Sequence, residues 1–276
     1  MKKSYQIGFS PCPNDTFIFD AMINNRLLDN ETWLPQLLDV EALNKNAGEG
    51  CFEVSKMSFA AYAFVSDKYQ ILNAGSALGR GCGPLIISKS PLSLEELGYK
   101  TIAIPGARTT ANLLMSIFVP ECKAKEEMVF SDIEEAVLTG RCDAGLIIHE
   151  NRFTYQQKGL LKVADLGELW ELKTGLPIPL GCIAVKRDLP ELEKQRIDEL
   201  IHQSVNYAFK NPSESKEYIA AHAQEMNPEV QQQHIDLYVN DFSVTLGVDG
   251  KNAIQTLFEE GRKSGLLPEV IEPLFV

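Results

Sequence analysis

The stretch Asp143-Ala-Gly-Leu-Ile-Ile-His149-Glu150-Asn151-Arg152 places a short apolar run directly before four polar side chains. Such a run is typical of a strand buried in a parallel sheet. In open α/β sheets, ligands bind at the carboxyl ends of the strands, so His149 is predicted to face a cleft. His149 is therefore the first candidate for a proton-transferring residue. The alternative is a histidine with only a structural role.

The first predicted strand, Tyr5 to Phe9, is followed by the tight loop Ser10-Pro-Cys-Pro-Asn-Asp15 and by a helix predicted over Thr16 to Asn25. Two prolines restrict this loop, and either Asp15 or Asn14 is predicted to cap the helix. The Asn14 side chain would then lie at the top of the first strand, where it could also contact a ligand.

A strand predicted over Phe52 to Ser58 follows a short strand around Leu37 to Val40 and a helix from Glu41 to about Ala47. It ends in the polar residues Lys56 and Ser58, and a helix is predicted to start at Phe59. The free N–H groups and the dipole of a helix N-terminus both favour negative charge. Lys56 and Ser58 are therefore candidate residues for binding a carboxylate. Ser58 could equally serve only as the helix N-cap.

The turn Gly106-Ala-Arg-Thr-Thr110 joins a predicted strand to the helix Ala111 to Phe118. Thr109 and Thr110 can cap this helix, and they can hold a ligand carboxylate if the turn faces a cleft. The glycine-rich stretch at residues 75–83 matches neither GxGxxG nor the phosphate-loop spacing, so it gives no support to nucleotide binding.

Strand and helix signals alternate through most of the chain and become helical after Leu189. This order predicts two α/β lobes joined by two crossings, near residues 85–91 and 176–182, with a helical C-terminal part. The first lobe would comprise residues 1–87 and 181–276, and the second residues 88–180. A ligand would lie between the lobes, which would close around it by a hinge motion.

Three further local interpretations follow from the sequence. A strand is predicted within Leu161 to Leu172, and Ser131 is predicted to cap a helix from about Asp132. The remaining histidines lie in polar helical stretches without metal-ligand spacing and are interpreted as surface residues: His202, His222 and His234.

Composition limits the classes of partner. A formal net charge of -12 argues against nucleic acid and anionic membranes, because phosphate neutralisation needs clustered Lys and Arg. No export signal and no membrane-spanning run is recognised, and the six cysteines are dispersed, so we expect a cytoplasmic protein with free thiols. Cys12, in the first loop, is interpreted as packing, with a reactive thiol as the alternative.

Four motifs in the same order resemble the 1,4-dihydroxy-6-naphthoate synthase family, which uses cyclic dehypoxanthinylfutalosine in the futalosine route to menaquinone. The likeness covers nearly the whole chain, and its motifs are Ser10-Pro-Cys-Pro-Asn-Asp-Thr-Phe-Ile-Phe19, Lys56-Met-Ser58, Gly106-Ala-Arg-Thr-Thr-Ala-Asn112 and Gly145-Leu-Ile-Ile-His-Glu-Asn-Arg-Phe-Thr154. Chorismate dehydratase, a neighbouring family, shares the general architecture.

The resemblance implies a bilobal fold like that of type II periplasmic binding proteins, with a small carboxylate substrate and neither metal nor organic cofactor. It also implies that His149 is the general base of a lyase, and that the segments Lys56–Ser58 and Thr109–Thr110 hold the substrate. Asn14 and Arg152 are supporting candidates, and Glu150 could orient the imidazole. The alternatives are chorismate dehydratase and a cytoplasmic binding protein of the same fold without catalytic activity.

Overall fold

Most strands lie in the first two thirds of the chain, where apolar runs alternate with helices. A computed structural model describes residues 3–27 and 31–276, so residues 1, 2 and 28–30 of the predicted first lobe lie outside the described residues. The strands are β1 Ser4–Phe9, β2 Thr32–Leu37, β3 Val54–Ser58, β4 Tyr69–Ile71, β5 Ala77–Gly79, β6 Leu85–Ser88, β7 Ile102–Ile104, β8 Lys125–Glu127, β9 Ala144–Ile147, β10 Leu161–Asp165 and β11 Ile178–Lys186.

These strands form two mixed sheets, as the predicted two-lobe α/β fold requires. The first sheet has the order β2-β1-β3-β11-β4, with β5 also paired to β11, and the second has the order β10-β6-β9-β7-β8. Strands β1, β2 and β3 are parallel, whereas β11 runs antiparallel to β3. In the second sheet, β7 is parallel to β8 and β9, and β6 is antiparallel to β9.

The chain passes between the sheets twice, once between β5 and β6 and once between β10 and β11. The predicted lobe boundaries fall within β6 and β11, because the prediction assigned residues 1–87 plus 181–276 to the first lobe and residues 88–180 to the second. By sheet membership, the second lobe begins with Leu85 and the chain re-enters the first sheet at Ile178. The first lobe is thus discontinuous in sequence.

Helices cover both sheets, and the C-terminal part is largely helical, as predicted. The helices are α1 Pro13–Ile23, α2 Val40–Glu49, α3 Phe59–Ala63, α4 Thr110–Phe118, α5 Ile133–Thr139, α6 Asn151–Thr154, α7 Leu166–Thr174, α8 Glu191–Lys210, α9 Lys216–His222, α10 Pro228–Tyr238, α11 Asp241–Val244 and α12 Gly247–Lys263. Short 3-10 helices occupy Glu96–Tyr99, Phe130–Asp132 and Tyr155–Lys158. Within the described ranges, no helix combines the length and apolarity needed to cross a membrane.

Helix α1 begins earlier than predicted, and its capping residue differs. Its N-cap is Cys12, without a side-chain cap bond, and Pro13 occupies the first helical position. The fixed φ of proline suits that position, where no intrahelical N–H partner is needed. The prediction that Asn14 or Asp15 caps the helix is therefore wrong, and both side chains lie in the first turn, where they are free to make other contacts.

Another local prediction is wrong. Ser131 does not cap α5, because the chain forms a 3-10 turn there and the N-cap is Asp132. The strand predicted within Leu161 to Leu172 is present as Leu161–Asp165, and the Asp165 carboxylate accepts hydrogen bonds from Gly167 N–H and Glu168 N–H and so starts α7. A side-chain cap of this kind satisfies helix donors that otherwise lack partners.

Candidate active site between the lobes

A cavity with about 710 Å³ of empty space, partly open to solvent, lies between the two lobes. Elements of both sheets contribute to its wall, because β3 and β11 belong to the first sheet whereas the turn before α4 and the end of β9 belong to the second. The predicted site residues that line it are Asn14, Lys56, Met57, Ser58, Thr109, Thr110 and His149. The ends of strands and the starts of the helices that follow them thus bring these side chains to one place.

His149 follows β9 by two residues and adopts a left-handed backbone conformation with φ 57°. This conformation is uncommon for a residue with a side chain, and histidine is among those that adopt it more often. The imidazole packs against Phe130, with ring centroids 5.0 Å apart, and its Nε2 is buried without a hydrogen-bond partner. The ring is thus fixed by packing, and this nitrogen remains free of protein hydrogen bonds.

Burial lowers the pKa of His149 from its ordinary 6.5 to about 4. The cause is the cost of moving a charged imidazolium out of water, which the negative charge of Asp15 opposes and the positive charge of Lys56 adds to. The imidazole is therefore neutral at neutral pH. A neutral imidazole with an unpaired nitrogen can accept a proton, which is the chemical requirement for a general base.

Lys56 forms a buried ion pair in the cavity wall. Its Nζ lies 2.9 Å from Asp15 Oδ1 and donates to the carbonyl of Gly75 at 3.0 Å. The second carboxylate oxygen of Asp15 accepts hydrogen bonds from the N–H and the hydroxyl of Ser10. Lys56 is thus neutralised within the wall, so the net positive charge available to an anionic ligand is small.

Other parts of the wall carry neutral hydrogen-bonding groups. Ser58 lies at the start of α3 and makes two hydrogen bonds with the Asn44 side chain. Ser58 N–H donates to Asn44 Oδ1 at 2.9 Å, and Asn44 Nδ2 donates to the Ser58 hydroxyl at 3.2 Å. Thr109 caps α4 by accepting from Asn112 N–H, as predicted. The Thr110 hydroxyl donates to the carbonyl of Leu180 at 2.7 Å, which links the second lobe to the crossing strand. Ser58 and Thr109 are thus held in place by local hydrogen bonds.

Arg152, also predicted for the site, is not part of the cavity wall. Its guanidinium pairs with Asp165 Oδ2 at 2.6 Å and donates to the carbonyl of Gly83. Asp165 caps α7, and Gly83 lies at the first crossing between the lobes. In this structure, Arg152 therefore fixes the chain after His149 to the crossing.

Among the residues of the wall that the sequence interpretation missed are His234 and Tyr238. Both lie on α10 and line the cavity, and His234 is completely buried, so its interpretation as a surface residue is wrong. The spacing of Val230, His234 and Tyr238 puts all three on one helix face, and this face is buried. That four-residue repeat was the available signal, although it does not identify what the helix packs against.

His149 and two neighbouring residues could together act as metal ligands. Donor atoms of Cys12, His149 and Glu150 lie within 4.8 Å of one another. Burial raises the pKa of the Cys12 thiol well above its ordinary value, and the charge of Glu150 raises it further. A bound cation would itself lower the thiol pKa, so the raised value describes the metal-free site only. Cys12 belongs to an apolar cluster with Leu85 and Ile147, as expected of a packing residue.

Comparison with known proteins identifies a family profile and relatives that this chain resembles. Residues 5–263 match the sequence profile of the family described as menaquinone biosynthesis. The chain is 46% identical over 278 residues to a 1,4-dihydroxy-6-naphthoate synthase of Thermus thermophilus, covering 99% of this chain and 100% of that protein. It is 42% identical to the enzyme of the same name from Streptomyces coelicolor, covering 95% of this chain and 94% of the relative.

Solved structures show the same fold. A crystal structure of a protein from Archaeoglobus fulgidus matches with a TM-score of 0.91 at 35% identity, covering 96% of this chain and 98% of that one. An alkanesulfonate-binding protein from Xanthomonas axonopodis pv. citri matches with a TM-score of 0.74 at 15% identity, covering 99% and 98%. The second likeness concerns the fold alone, and it confirms the predicted periplasmic-binding-protein-like architecture.

Proposed function

The chain belongs to the menaquinone biosynthesis family, and from that premise we propose that it is a 1,4-dihydroxy-6-naphthoate synthase acting on cyclic dehypoxanthinylfutalosine in the futalosine route. The reaction is that of a lyase, in which a proton is removed from the cyclised, sugar-derived part of the substrate and that fragment leaves. The product is an aromatic naphthoate. The observation that carries the mechanism is the buried, unpartnered Nε2 of His149 in the cavity wall.

His149 is the proposed general base. It is neutral at working pH, because burial lowers its pKa to about 4, and a base must be unprotonated before it can accept a proton. Packing against Phe130 holds the ring in one orientation. Such positioning lowers the barrier, because the base does not have to be brought to the substrate during the reaction.

The substrate carboxylate is proposed to bind where α3 and α4 begin. Ser58, Thr109, Thr110 and Ala111 line this part of the cavity. Ala60 N–H and Asn112 N–H already donate to the hydroxyls of Thr110 and Thr109, so the proposed donors are the other N–H groups of the first helical turns, which have no intrahelical acceptor. Lys56 contributes less as a charge than as a fixed part of the wall, because Asp15 neutralises it. Asn14 adds a carboxamide to the wall, and Arg152 supports the site from outside the cavity.

No metal or organic cofactor is needed for this chemistry, because formation of the aromatic ring supplies driving force and the protein has only to position a base and exclude water. We also propose a cytoplasmic location. Its support is that the six cysteines are all unpaired, which is typical of proteins in reducing compartments.

The test is single-turnover conversion of cyclic dehypoxanthinylfutalosine, with product identified by mass and substrate affinity measured separately. His149→Asn is the informative variant, because asparagine tolerates the left-handed backbone at this position. We expect it to bind substrate normally and to react about a hundredfold or more slowly than the wild type. His222→Ala, which lies on α9 and does not line the cavity, is the matched control and should retain the wild-type rate.

Each result has a definite meaning. Binding of the substrate without turnover by the wild-type protein would favour the non-catalytic binding protein. Loss of water from chorismate in a parallel incubation would favour chorismate dehydratase. Wild-type speed in His149→Asn would assign the base to another residue.

A further inference from the structure

His234 lies beside the proposed base but makes no contact that the general-base mechanism uses. Its imidazole is nearly parallel to that of His149, with ring centroids 5.9 Å apart and an interplanar angle of 10°. Tyr238, one turn further along α10, also packs against the His234 ring, with ring centroids 4.7 Å apart. Because His234 is completely buried, both of its ring nitrogens must find partners within the protein.

The hydrogen bond to Asn14 identifies which ring nitrogen of His234 carries the proton. The Asn14 amide nitrogen donates to Asp15 Oδ1 at 3.0 Å, so the carboxamide oxygen faces His234, whose Nε2 lies 3.0 Å away. A carboxamide oxygen can only accept. Nε2 of His234 must therefore carry hydrogen and donate to Asn14.

The other nitrogen, Nδ1, faces Glu150. Nδ1 lies 3.6 Å from Glu150 Oε2, and both atoms are buried without a hydrogen-bond partner. A neutral imidazole has a lone pair on Nδ1, and an ionised carboxylate facing it would place two acceptors against each other. A single proton between the two atoms removes this conflict.

The surroundings favour the neutral form of this pair. Burial raises the pKa of Glu150, and the charge of Glu225 raises it further. Burial also lowers the pKa of His234 well below its ordinary value, and the nearby His149 lowers it further. Two further ionisable neighbours are Tyr238, packed against the His234 ring, and Cys12, beside Glu150. Both have pKa values raised by burial and so remain uncharged.

We propose that Glu150 and His234 form a neutral carboxylic acid–imidazole pair that shares one proton and positions Asn14 and His149 at the cavity. Glu150 holds Nδ1 of His234, and Nε2 of His234 in turn fixes the carboxamide of Asn14. A neutral His234 ring also allows His149 to become positively charged when it accepts a proton, because two adjacent imidazolium rings would repel each other. The positioning part of this inference rests on the proposed function, whereas the protonation state does not.

The first experiment measures the protonation state directly. The protein contains four histidines, so ¹⁵N-histidine labelling and long-range ¹H–¹⁵N spectra can report each ring, with assignment by single substitutions. We expect His234 to be neutral, with its proton on Nε2, from pH 5 to pH 8. We also expect the same tautomer in Glu150→Gln, because a glutamine amide can donate to Nδ1 as a carboxylic acid does. A charged His234 at pH 7, or a proton on Nδ1, would overturn the proposal.

The second experiment separates positioning from general support of the fold. Glu150→Gln keeps a neutral donor and should retain the wild-type rate and pH profile, whereas Glu150→Ala should lose about tenfold in kcat, since displaced groups at a site are costly. In Glu150→Ala, His234 can take up a proton, so a new loss of activity should appear toward mildly acidic pH. Equal loss in both variants would show that the carboxylate must be ionised. An unshifted pH profile in Glu150→Ala would contradict the positioning role and leave Glu150 and His234 as a structural contact only.

The two experiments can contradict the protonation state and the proposed function separately. The spectra need no substrate, so a wild-type protein that does not turn over cyclic dehypoxanthinylfutalosine would contradict the proposed function and leave the protonation state measured. Thermal unfolding of each variant shows whether a lost rate reflects lost structure.

Discussion

The lowered pKa of His149 predicts a specific loss of stability in acid. The folded protein favours the neutral ring, with a pKa of about 4, whereas the unfolded chain has the ordinary value of 6.5. A depressed pKa in the folded state means that the full contribution to stability is present above pH 6.5. It is lost as the pH falls from 6.5 toward 4, because the unfolded chain then binds a proton that the folded protein excludes.

The magnitude follows from these two values. At pH 5, proton binding stabilises the unfolded chain relative to the folded protein by about 2 kcal/mol from this one residue. The loss approaches about 3 kcal/mol near pH 4, since each pKa unit corresponds to about 1.4 kcal/mol. His234, whose pKa burial also lowers, adds a loss of the same sign. A comparison with a variant that lacks only the His149 imidazole removes this common contribution.

The assay is urea unfolding of wild type and His149→Asn at pH 8, 6.5 and 5. It is followed by tryptophan fluorescence and far-UV circular dichroism, and coincident transitions justify a two-state analysis of this bilobal chain. We expect the wild type to lose about 2 kcal/mol more than the variant between pH 8 and pH 5. Parallel stability profiles would refute the reasoning, because His149 would then titrate alike in the folded and unfolded states.

Three further measurements test the site and the contacts that hold it in place. In wild type, the acid limb of kcat/KM should lie near pH 4, which is the pKa of His149 in the free protein, and a limb at 6.5 would indicate a solvated ring. Lys56→Met should cost roughly 3–5 kcal/mol in the free energy of unfolding, because it leaves the charge of Asp15 buried and unpaired. The double variant Lys56→Met/Asp15→Leu should recover most of this loss in urea titrations, and no recovery would contradict the pairing. Gly83→Ala should destabilise by roughly 1–3 kcal/mol, because its Cβ would lie 2.2 Å from a facing backbone nitrogen. Its control is Gly48→Ala within α2, where the nearest atom is 3.5 Å away and alanine favours the helix, so the measured stability should be unchanged or slightly higher.

Local sequence signals located much of the site because sheet topology makes strand ends converge. His149 follows a buried apolar strand, and Lys56 and Ser58 end another, so one rule about the carboxyl ends of strands placed all three at a cleft. Capping chemistry added Thr109, whose hydroxyl accepts from the α4 backbone. These predictions needed only short windows of sequence and the expectation that the two sheets face each other.

The residues that the sequence did not reveal depend on contacts across long separations. His234 meets Asn14 across 220 residues, and this contact exists only because α10 returns to the cleft. Its own sequence window is polar, so periodicity alone did not assign a buried partner. The contact of Arg152 also spans separate elements, because the structure pairs its guanidinium with Asp165 on another strand, and the sequence around Arg152 does not indicate that partner.

The charge balance of the cavity is consistent with the proposed catalysis in a fold shared with binding proteins. Lys56 is neutralised by Asp15, so in the proposed mechanism neutral donors bind the anion and His149 is the group whose charge changes during the reaction. A substrate carboxylate about 6 Å from His149 would favour its imidazolium by about 3 kcal/mol at an effective dielectric of about 20. Binding of the anion therefore strengthens the base. The free protein keeps that base weak and neutral, and full basicity develops only when the substrate occupies the cavity.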